Sequence, residues 1–379
     1  VHGARLDQQT NVSFGDGRER NDAARSGSIL QNARHRTGRD PPPFVAMDLT
    51  EDDLVAAISR LLAGEVRDVV VGLGDDAAVV DPGTGQLVVT TDMLVEGVHF
   101  ERASISARDL GAKSVTVNVS DIAAMGGSPR SAVVSIALPP DVDAAWVMEL
   151  YGGMRDTCGE YALALVGGDT NRGDLLVIAV TVVGHVAPGR AVTRSGARPG
   201  DAIVVTGSLG GAAGGLHLSR ARASVMQAAL SQPWGRALLD ALARPIARVG
   251  EGQILARSGA HAMIDISDGL AKDLSRVCLA SGVAARVELE AVPIAEALRD
   301  GAAALSVDAL GLALGGGEDY ELLATLDPTD AAAAGRALRE RFGVTLTTIG
   351  TIIEGEGVIG RDANGRETPI EPEGWDHFE

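Results

Sequence analysis

The chain has 379 residues, 45% hydrophobic and 22% charged, which is long enough for two domains with sizeable cores. A formal net charge of −18 argues against a nucleic-acid partner, which would want a basic surface. No apolar run reaches the roughly 18 residues of a membrane helix and no apolar signal core stands near the start, while the two cysteines, Cys158 and Cys278, are too few for a disulfide framework, so a cytoplasmic protein without a membrane partner is the default.

Residues 1–47 read as a poorly ordered extension, rich in Arg, Asp, Gly, Gln and Asn and ending in Pro41-Pro42-Pro43. Order is expected from Asp48, with Thr50 and Asp53 in a capping arrangement ahead of Leu54, Ile58, Leu61 and Leu62 at helical spacing. An apolar hairpin-like segment follows, in which Gly72-Leu73-Gly74-Asp75-Asp76-Ala77-Ala78 separates Val69–Val71 from Val79-Val80. Adjacent carboxylates there repel each other and weaken a strand, and a divalent cation is a ready way to neutralise them. Gln86 to Asp92 reads as a strand that ends where Asp92 emerges. Ser106 is the expected N-cap of a long helix running through Asp121 to Met125 and stopped by Gly126-Gly127.

Ser131 to Leu138 reads as a buried strand, Asp143 to Glu160 as a helix, and Ala162 to Val166 as a strand delivering Gly167-Gly168-Asp169. Leu175 to Val183 is a further strand, and the Pro- and Gly-containing stretch 184–200 marks a domain boundary. That divides the chain into an N-terminal domain over 48–190 and a C-terminal α/β domain over 191–379. Past the boundary, a strand at Ala202–Thr206 leads into the glycine-rich Gly207–Gly215, and a strand at Ala262–Ile266 carries Asp265 and Ser267 on one alternating face. Asp268 opens the next helix, whose apolar face is Leu270, Leu274, Val277 and Cys278. Strands and helices alternate to the end, which makes the class mixed α/β in two domains.

The chemistry lies in isolated acids. Asp92, Asp121, Asp169, Asp265 and Asp268 each have an ordinary explanation as a turn former, a cap or a satisfied polar group. Asp121 strains that explanation, because Val119 to Met125 is apolar and an unpaired buried carboxylate costs several kcal/mol. Oxygen ligands with no histidine or thiol among them suit Mg²⁺, which bridges phosphates. Lysine is confined to Lys113 and Lys272, and neither follows a glycine, so a Walker A loop is excluded. Gly207–Gly215 never gives G-x-G-x-x-G, and the outline at Gly72–Ala77 is followed by an apolar strand, which disfavours a dinucleotide fold. His99 and Arg194 are open to reading as an ordinary loop histidine and a solvated arginine, and Gly315–Glu321 as an acidic loop on flexible backbone.

Eight segments stand in order: 72–78, Thr90-Thr-Asp-Met-Leu-Val-Glu-Gly-Val-His-Phe100, Asn118-Val-Ser-Asp-Ile-Ala-Ala-Met-Gly126, Gly167-Gly-Asp-Thr170, Thr193-Arg-Ser-Gly-Ala197, Ile264-Asp-Ile-Ser-Asp-Gly-Leu270, Gly316-Gly-Glu-Asp-Tyr-Glu321 and Gly374-Trp-Asp-His-Phe378. Together they resemble the thiamine-monophosphate kinase family, of the superfamily that includes aminoimidazole ribonucleotide synthetase. The resemblance runs from about Leu49 to the C-terminus and leaves out the N-terminal extension.

It implies a two-domain aminoimidazole ribonucleotide synthetase-like fold whose N-terminal sheet pairs across a homodimer. It also implies Mg²⁺-dependent transfer of phosphate from ATP to thiamine monophosphate, giving thiamine diphosphate. Carried over by motif, the metal ligands are Asp75 or Asp76, with a lean to Asp76, and Thr90, Thr91, Asp92, Asp121, Asp169, Asp265 and Asp268. Asp121, Asp169 and Asp268 would be the catalytic aspartates among them. Gly168, Asp169, Arg194, Ser267 and Tyr151 would contact ATP, and His99, Glu318 and Trp375 the thiamine substrate. A synthetase of the same superfamily, or a non-catalytic sensor of nucleotide or thiamine phosphate, is the competing reading. The last two motifs match the thiamine branch rather than the synthetases.

Overall fold

The computed structural model describes residues 51–62, 69–71, 79–80 and 83–372. The expected extension over 1–47, Asp75, Asp76 and Trp375 lie outside the described residues. Helix α1 (Glu51–Leu61) comes first, burying Leu54 and Ile58. Strands β1 (Val69–Val71) and β2 (Val79–Val80) then pair antiparallel, as the hairpin-like segment anticipates.

The first larger sheet contains β3 (Gln86–Val95), β4 (Ser128–Leu138), β5 (Ala164–Arg172) and β6 (Val177–Val186), in the order β3-β6-β4-β5. Only β4 and β5 run parallel in it. Its inner face, with Leu94, Val134, Ile136, Ile178, Val180 and Val182, packs in one core with α2 (Ala107–Ala124) and α3 (Ala144–Glu160). The outer face carries Leu87, Val89 and Met93 at 55%, 62% and 54% exposure, so this sheet is apolar on both sides.

The second sheet has seven strands: β7 (Ala202–Thr206), β8 (Ala262–Asp265), β9 (Ala284–Glu288), β10 (Leu322–Leu326), β11 (Leu346–Ile353), β12 (Gly357–Arg361) and β13 (Glu367–Pro369). They lie in the order β13-β12-β9-β11-β7-β10-β8, all antiparallel except β12 against β9. Strands β7, β8 and β10 are buried throughout, as near-continuous apolar strands covered on both faces should be. Helices α4 (Gly211–Ser219), α5 (Ala223–Leu230), α6 (Pro233–Ala243), α7 (Val249–Arg257), α8 (Leu270–Ser281), α9 (Glu296–Leu305), α10 (Ala309–Gly315) and α11 (Pro328–Phe342) complete it. The class is therefore mixed α and β, with mostly antiparallel sheets. Among the described residues no helix is long and apolar enough to cross a membrane.

Helix α2 is the element that both sheets meet. Ser106 caps it, accepting from the Asp109 N–H, and Gly126 follows it with φ 69, as the sequence suggests. Fourteen of its residues are buried, including Asn118 and Ser120, because β3 and β6 cover one side, α3 another, and α7 and β8 a third. Its approach to α3 is close enough to need glycine. A Cβ on Gly111 would stand 2.0 Å from the Leu150 carbonyl oxygen, and one on Gly153 would stand 1.9 Å from that of Arg108.

Four strands run further than the sequence indicates. Strand β4 starts three residues early, at Ser128, and β6 runs to Val186, three residues into the stretch read as a domain boundary. Strand β3 continues past Asp92 to Val95, and β5 continues past Val166 to Arg172 because it pairs with β4 along its length. Asp92 and Asp169 are thus mid-strand residues, and strand parity decides which face each one takes.

Gly153→Ala tests the close crossing of α2 and α3. Forcing these backbones apart should lower unfolding free energy by about 1–3 kcal/mol or more, read by chemical denaturation. The same change at the exposed Gly159, where a Cβ meets nothing within 4 Å, should be close to neutral or stabilising.

Candidate active site

Successive residues of a helix point about 100° apart, so Ser120 and Asp121 on α2 address different neighbours. Asp121 faces the first sheet, where the Thr90 hydroxyl donates to its Oδ2 at 2.5 Å. One turn back, Asn118 Oδ1 accepts from the Asp92 N–H at 2.8 Å, which fixes the height of β3 along the helix. Ser120 faces the second sheet and donates to Asp265 Oδ2 at 2.7 Å, at the end of the fully buried β8. Thr90, Asp92, Asp121 and Asp265 are thereby drawn towards one region from three elements.

Their protonation reflects the crowding. Burial, then the charges of Asp121 and Asp268, push the Asp92 carboxyl up to about 6. Burial raises Asp121 as well, opposed by the Thr90 hydrogen bond and the positive charge of Arg194. Asp265 is raised by burial and then by Asp121, with smaller contributions from Asp273 and Asp92, against the Ser120 hydrogen bond. Carboxylates that raise one another need a cation to stay ionised together. Among the described residues, no group of three or more His, Cys, Asp or Glu is arranged to hold an ion. Sites with one or two carboxylates, completed by water and phosphate oxygens, are the habit of Mg²⁺. The donor set fits that ion.

Past β8 the chain turns through Ser267-Asp268-Gly269 into α8. The sequence allows Asp268 to be an N-cap, but the cap residue is Gly269 and Asp268 pairs with Arg276 Nη2 instead. Asp273, which sequence reasoning missed, braces this turn. Its Oδ2 accepts from the Ser267 and Asp268 N–H groups at 3.1 Å each, and its Oδ1 accepts from Arg276. Its sequence signal is a carboxylate in the first turn of a helix that follows two polar residues.

Arg194 is exposed on the segment between the sheets. The Met263 N–H donates to Thr193 O, and Ser281 Oγ accepts from Gly196 and Ala197, which hold that segment against β8 and α8. The loop ahead of β10 lies against the same turn. Glu318 N donates to Ser267 O at 2.8 Å, and Gly317 (φ 69) brings backbone where a Cβ would stand 2.6 Å from that same oxygen. Glu318 and Tyr320 both adopt left-handed backbone, φ 58 and 52, which is costly for side chains of this kind. Asp319 points the other way and accepts from the Gly210 N–H ahead of α4 at 2.8 Å. A carboxylate of the protein itself therefore meets the amides of the Gly207–Gly215 loop, where a dinucleotide fold would seat a phosphate.

Asp169 and Thr91 lie apart from these acids. The rows Asp92–Val180–Val134–Gly168 and Met93–Ala179–Ser135–Asp169 run side by side across the sheet. Asp92 shares the inner face, whereas Asp169, with Met93, is on the outer face, roughly 14 Å across three strand spacings. Thr91 also points outward, bonding Val180 O and Thr181. The structure thus groups Thr90, Asp92, Asp121 and Asp265, with Ser267, Asp268 and Glu318 on the adjoining turn and loop, and does not bring Thr91 or Asp169 to them within one chain. Tyr151 is buried on α3, hydrogen-bonded to Thr170, its hydroxyl pushed up to about 12 by burial. His99 sits in the turn after β3, its Nδ1 accepting from the Val95 N–H at 3.1 Å. Burial also raises the thiols of Cys158 and Cys278, to about 12 and 11, which removes them as nucleophiles near neutral pH.

The two halves of the chain match the two domains of one family. Residues 74–186 match the model of the AIR synthase related protein N-terminal domain, and residues 198–362 that of its C-terminal domain. Within that class the chain belongs to the thiamine-monophosphate kinase family. It is 40% identical to thiamine-monophosphate kinase of Escherichia coli (strain K12) over 332 residues, 86% of this chain and 98% of the relative. The crystal structure of thiamine-monophosphate kinase from Stenotrophomonas maltophilia K279a superposes with a TM-score of 0.70 at 37% identity, covering 81% of this chain and 94% of the other. AaThiL complexed with AMPPCP and TMP superposes with a TM-score of 0.68 at 34% identity, covering 88% and 100%.

Asp319 generates a pH prediction. Burial raises it from 3.8 to about 7, so the folded state holds a proton that the unfolded chain releases. Stability should fall as pH rises from about 4 to 7 and level off above. Melting curves of Asp319→Asn should show a smaller decline across that window; an identical decline contradicts the assignment.

Proposed function

We propose that this chain transfers the γ-phosphoryl group of ATP to thiamine monophosphate, giving ADP and thiamine diphosphate. The observation that carries the reading is the meeting of Asp92 and Asp265, from two sheets, with Asp121 of the helix between them, in a chain whose 34%-identical structural relative is complexed with AMPPCP and TMP. Asp92, Asp121, Asp265 and Asp268, with Thr90, would hold several Mg²⁺ ions, each taken by one or two of these carboxylates and completed by water and phosphate oxygens. The ions would neutralise charge on the phosphates as it builds towards the transition state.

An oxygen of the acceptor phosphate is already ionised near neutral pH, so no side chain has to take a proton from it. It attacks the γ-phosphorus, the bond to the ADP oxygen breaks in line, and the new phosphoanhydride leaves as product. The protein's contribution is alignment and charge. Arg194 and Ser267 lie beside the acids, where they would meet the nucleotide. Glu318 and His99, with Trp375, would take the thiamine portion.

The outer face of the first sheet supports a homodimer. Leu87, Val89, Met93 and Val133 form an exposed apolar stripe on a sheet whose inner face is already covered. Pairing of two such faces would carry Thr91 and Asp169 into the interface, where a ligand role for either would depend on the second copy.

End-point product analysis with ATP and Mg²⁺ over thiamine, thiamine monophosphate and purine-pathway ribonucleotides tests the function. Thiamine diphosphate should form from the monophosphate alone and vanish with chelator; turnover of a ribonucleotide instead would move the chain to the synthetase branch. Asp121→Asn should lower kcat by about 10²–10³-fold or more, and unchanged activity at limiting Mg²⁺ would remove Asp121 from the metal site. Met93→Asp should shift sedimentation towards monomer, and an unchanged species would place the interface elsewhere.

A further inference from the structure

Lys113 lies in the first half of α2, two turns before Asp121, and is 2% exposed. A buried ammonium is costly unless its charge and protons are matched. It meets two groups: the Leu242 carbonyl oxygen near the end of α6, at 3.1 Å, and Glu318 Oε1, at 2.9 Å. Glu318 is the more constrained partner. Its backbone is left-handed, its N–H is bound to Ser267 O, and the glycine before it is packed on Ser267 and Asp268. With backbone and one carboxylate oxygen both anchored, the side chain keeps little rotamer freedom, yet it is still 29% exposed.

We infer that Lys113 is a positioning residue for the organic part of the phosphoryl acceptor, acting through Glu318. Its buried ammonium holds Oε1 so that the carboxylate is presented to the substrate in one orientation. The same helix carries Asp121, so α2 ties the acceptor contact to the metal-facing acids. This rests on the assignment of Glu318 as a substrate contact in the proposed reaction. A structural ion pair alone would make no distinction between the two substrates; a positioning role does.

The test is steady-state kinetics on the full chain with four proteins: wild type, Lys113→Met, Glu318→Gln and the double variant. Lys113→Met should raise KM for thiamine monophosphate at least 10-fold and leave KM for ATP within about twofold. In the Glu318→Gln background the same change should add less than twofold, because the group it acts through is already altered. The double variant also removes both charges, so it keeps the comparison open if Lys113→Met fails to fold; Lys113→Gln then serves as the single variant. A raised KM in Glu318→Gln with none in Lys113→Met overturns the inference, as do equal losses for both substrates or effects that multiply. An unchanged KM in Glu318→Gln overturns the substrate assignment itself, and the inference with it.

Discussion

Asp121 hangs from a helix that is buried on almost every side, and the carboxylates of Asp92 and Asp265 reach its neighbourhood from two different sheets. Much else follows from that constraint. A helix can be buried among β3, β6, α3, α7 and β8 only if its own polar groups are matched, so Asn118, Ser120 and Asp121 each have a partner on a strand. Those hydrogen bonds fix the register of both sheets against α2. Gly111 of α2 and Gly153 of α3 let the two helices close on each other, and the negative charge left over is what a divalent cation would relieve.

A second layer holds the two turns that border these acids. Asp273 satisfies two amides ahead of α8 and shares Arg276 with Asp268, while the loop ahead of β10 places two left-handed residues against the same turn. Backbone conformations of that kind persist only where surroundings over-determine them. Here the surroundings are Ser267 O on one side, the α4 amides held by Asp319 on the other, and Lys113 beneath. The last residue of the acidic run, Glu321, is bound bidentately by Arg248 and accepts from Thr206, so every acid from 318 to 321 has a distinct partner.

Local signals were the legible ones. Ser106, the Gly126-Gly127 stop and the apolar strands marked their elements because caps, turns and alternation act over a few residues. The ordered motifs brought out Asp92, Asp121 and Asp265, and the structure draws them together. Strand parity was harder: Asp92 and Asp169 looked like strand ends, and only the pairing of β5 with β4, with its shift between Ala132 and Val133, shows that Asp169 faces outward. Lys113 and Asp273 were missed because their role comes from residues far away in sequence. Lys113 did carry a faint signal, as one of two lysines and the one set between Leu110 and Val117 on an apolar helix.

On the proposed function, α2 presents Asp121 as the charge around which metal and nucleotide assemble. Mn²⁺ titration followed by electron paramagnetic resonance, with AMPPCP present, tests it without turnover. Wild type should bind Mn²⁺ in the analogue complex, and Asp121→Asn should lose at least one ion per chain while keeping the wild-type melting curve within a few degrees. Equal stoichiometry and affinity in the two proteins would mean that Asp121 does not hold the ion.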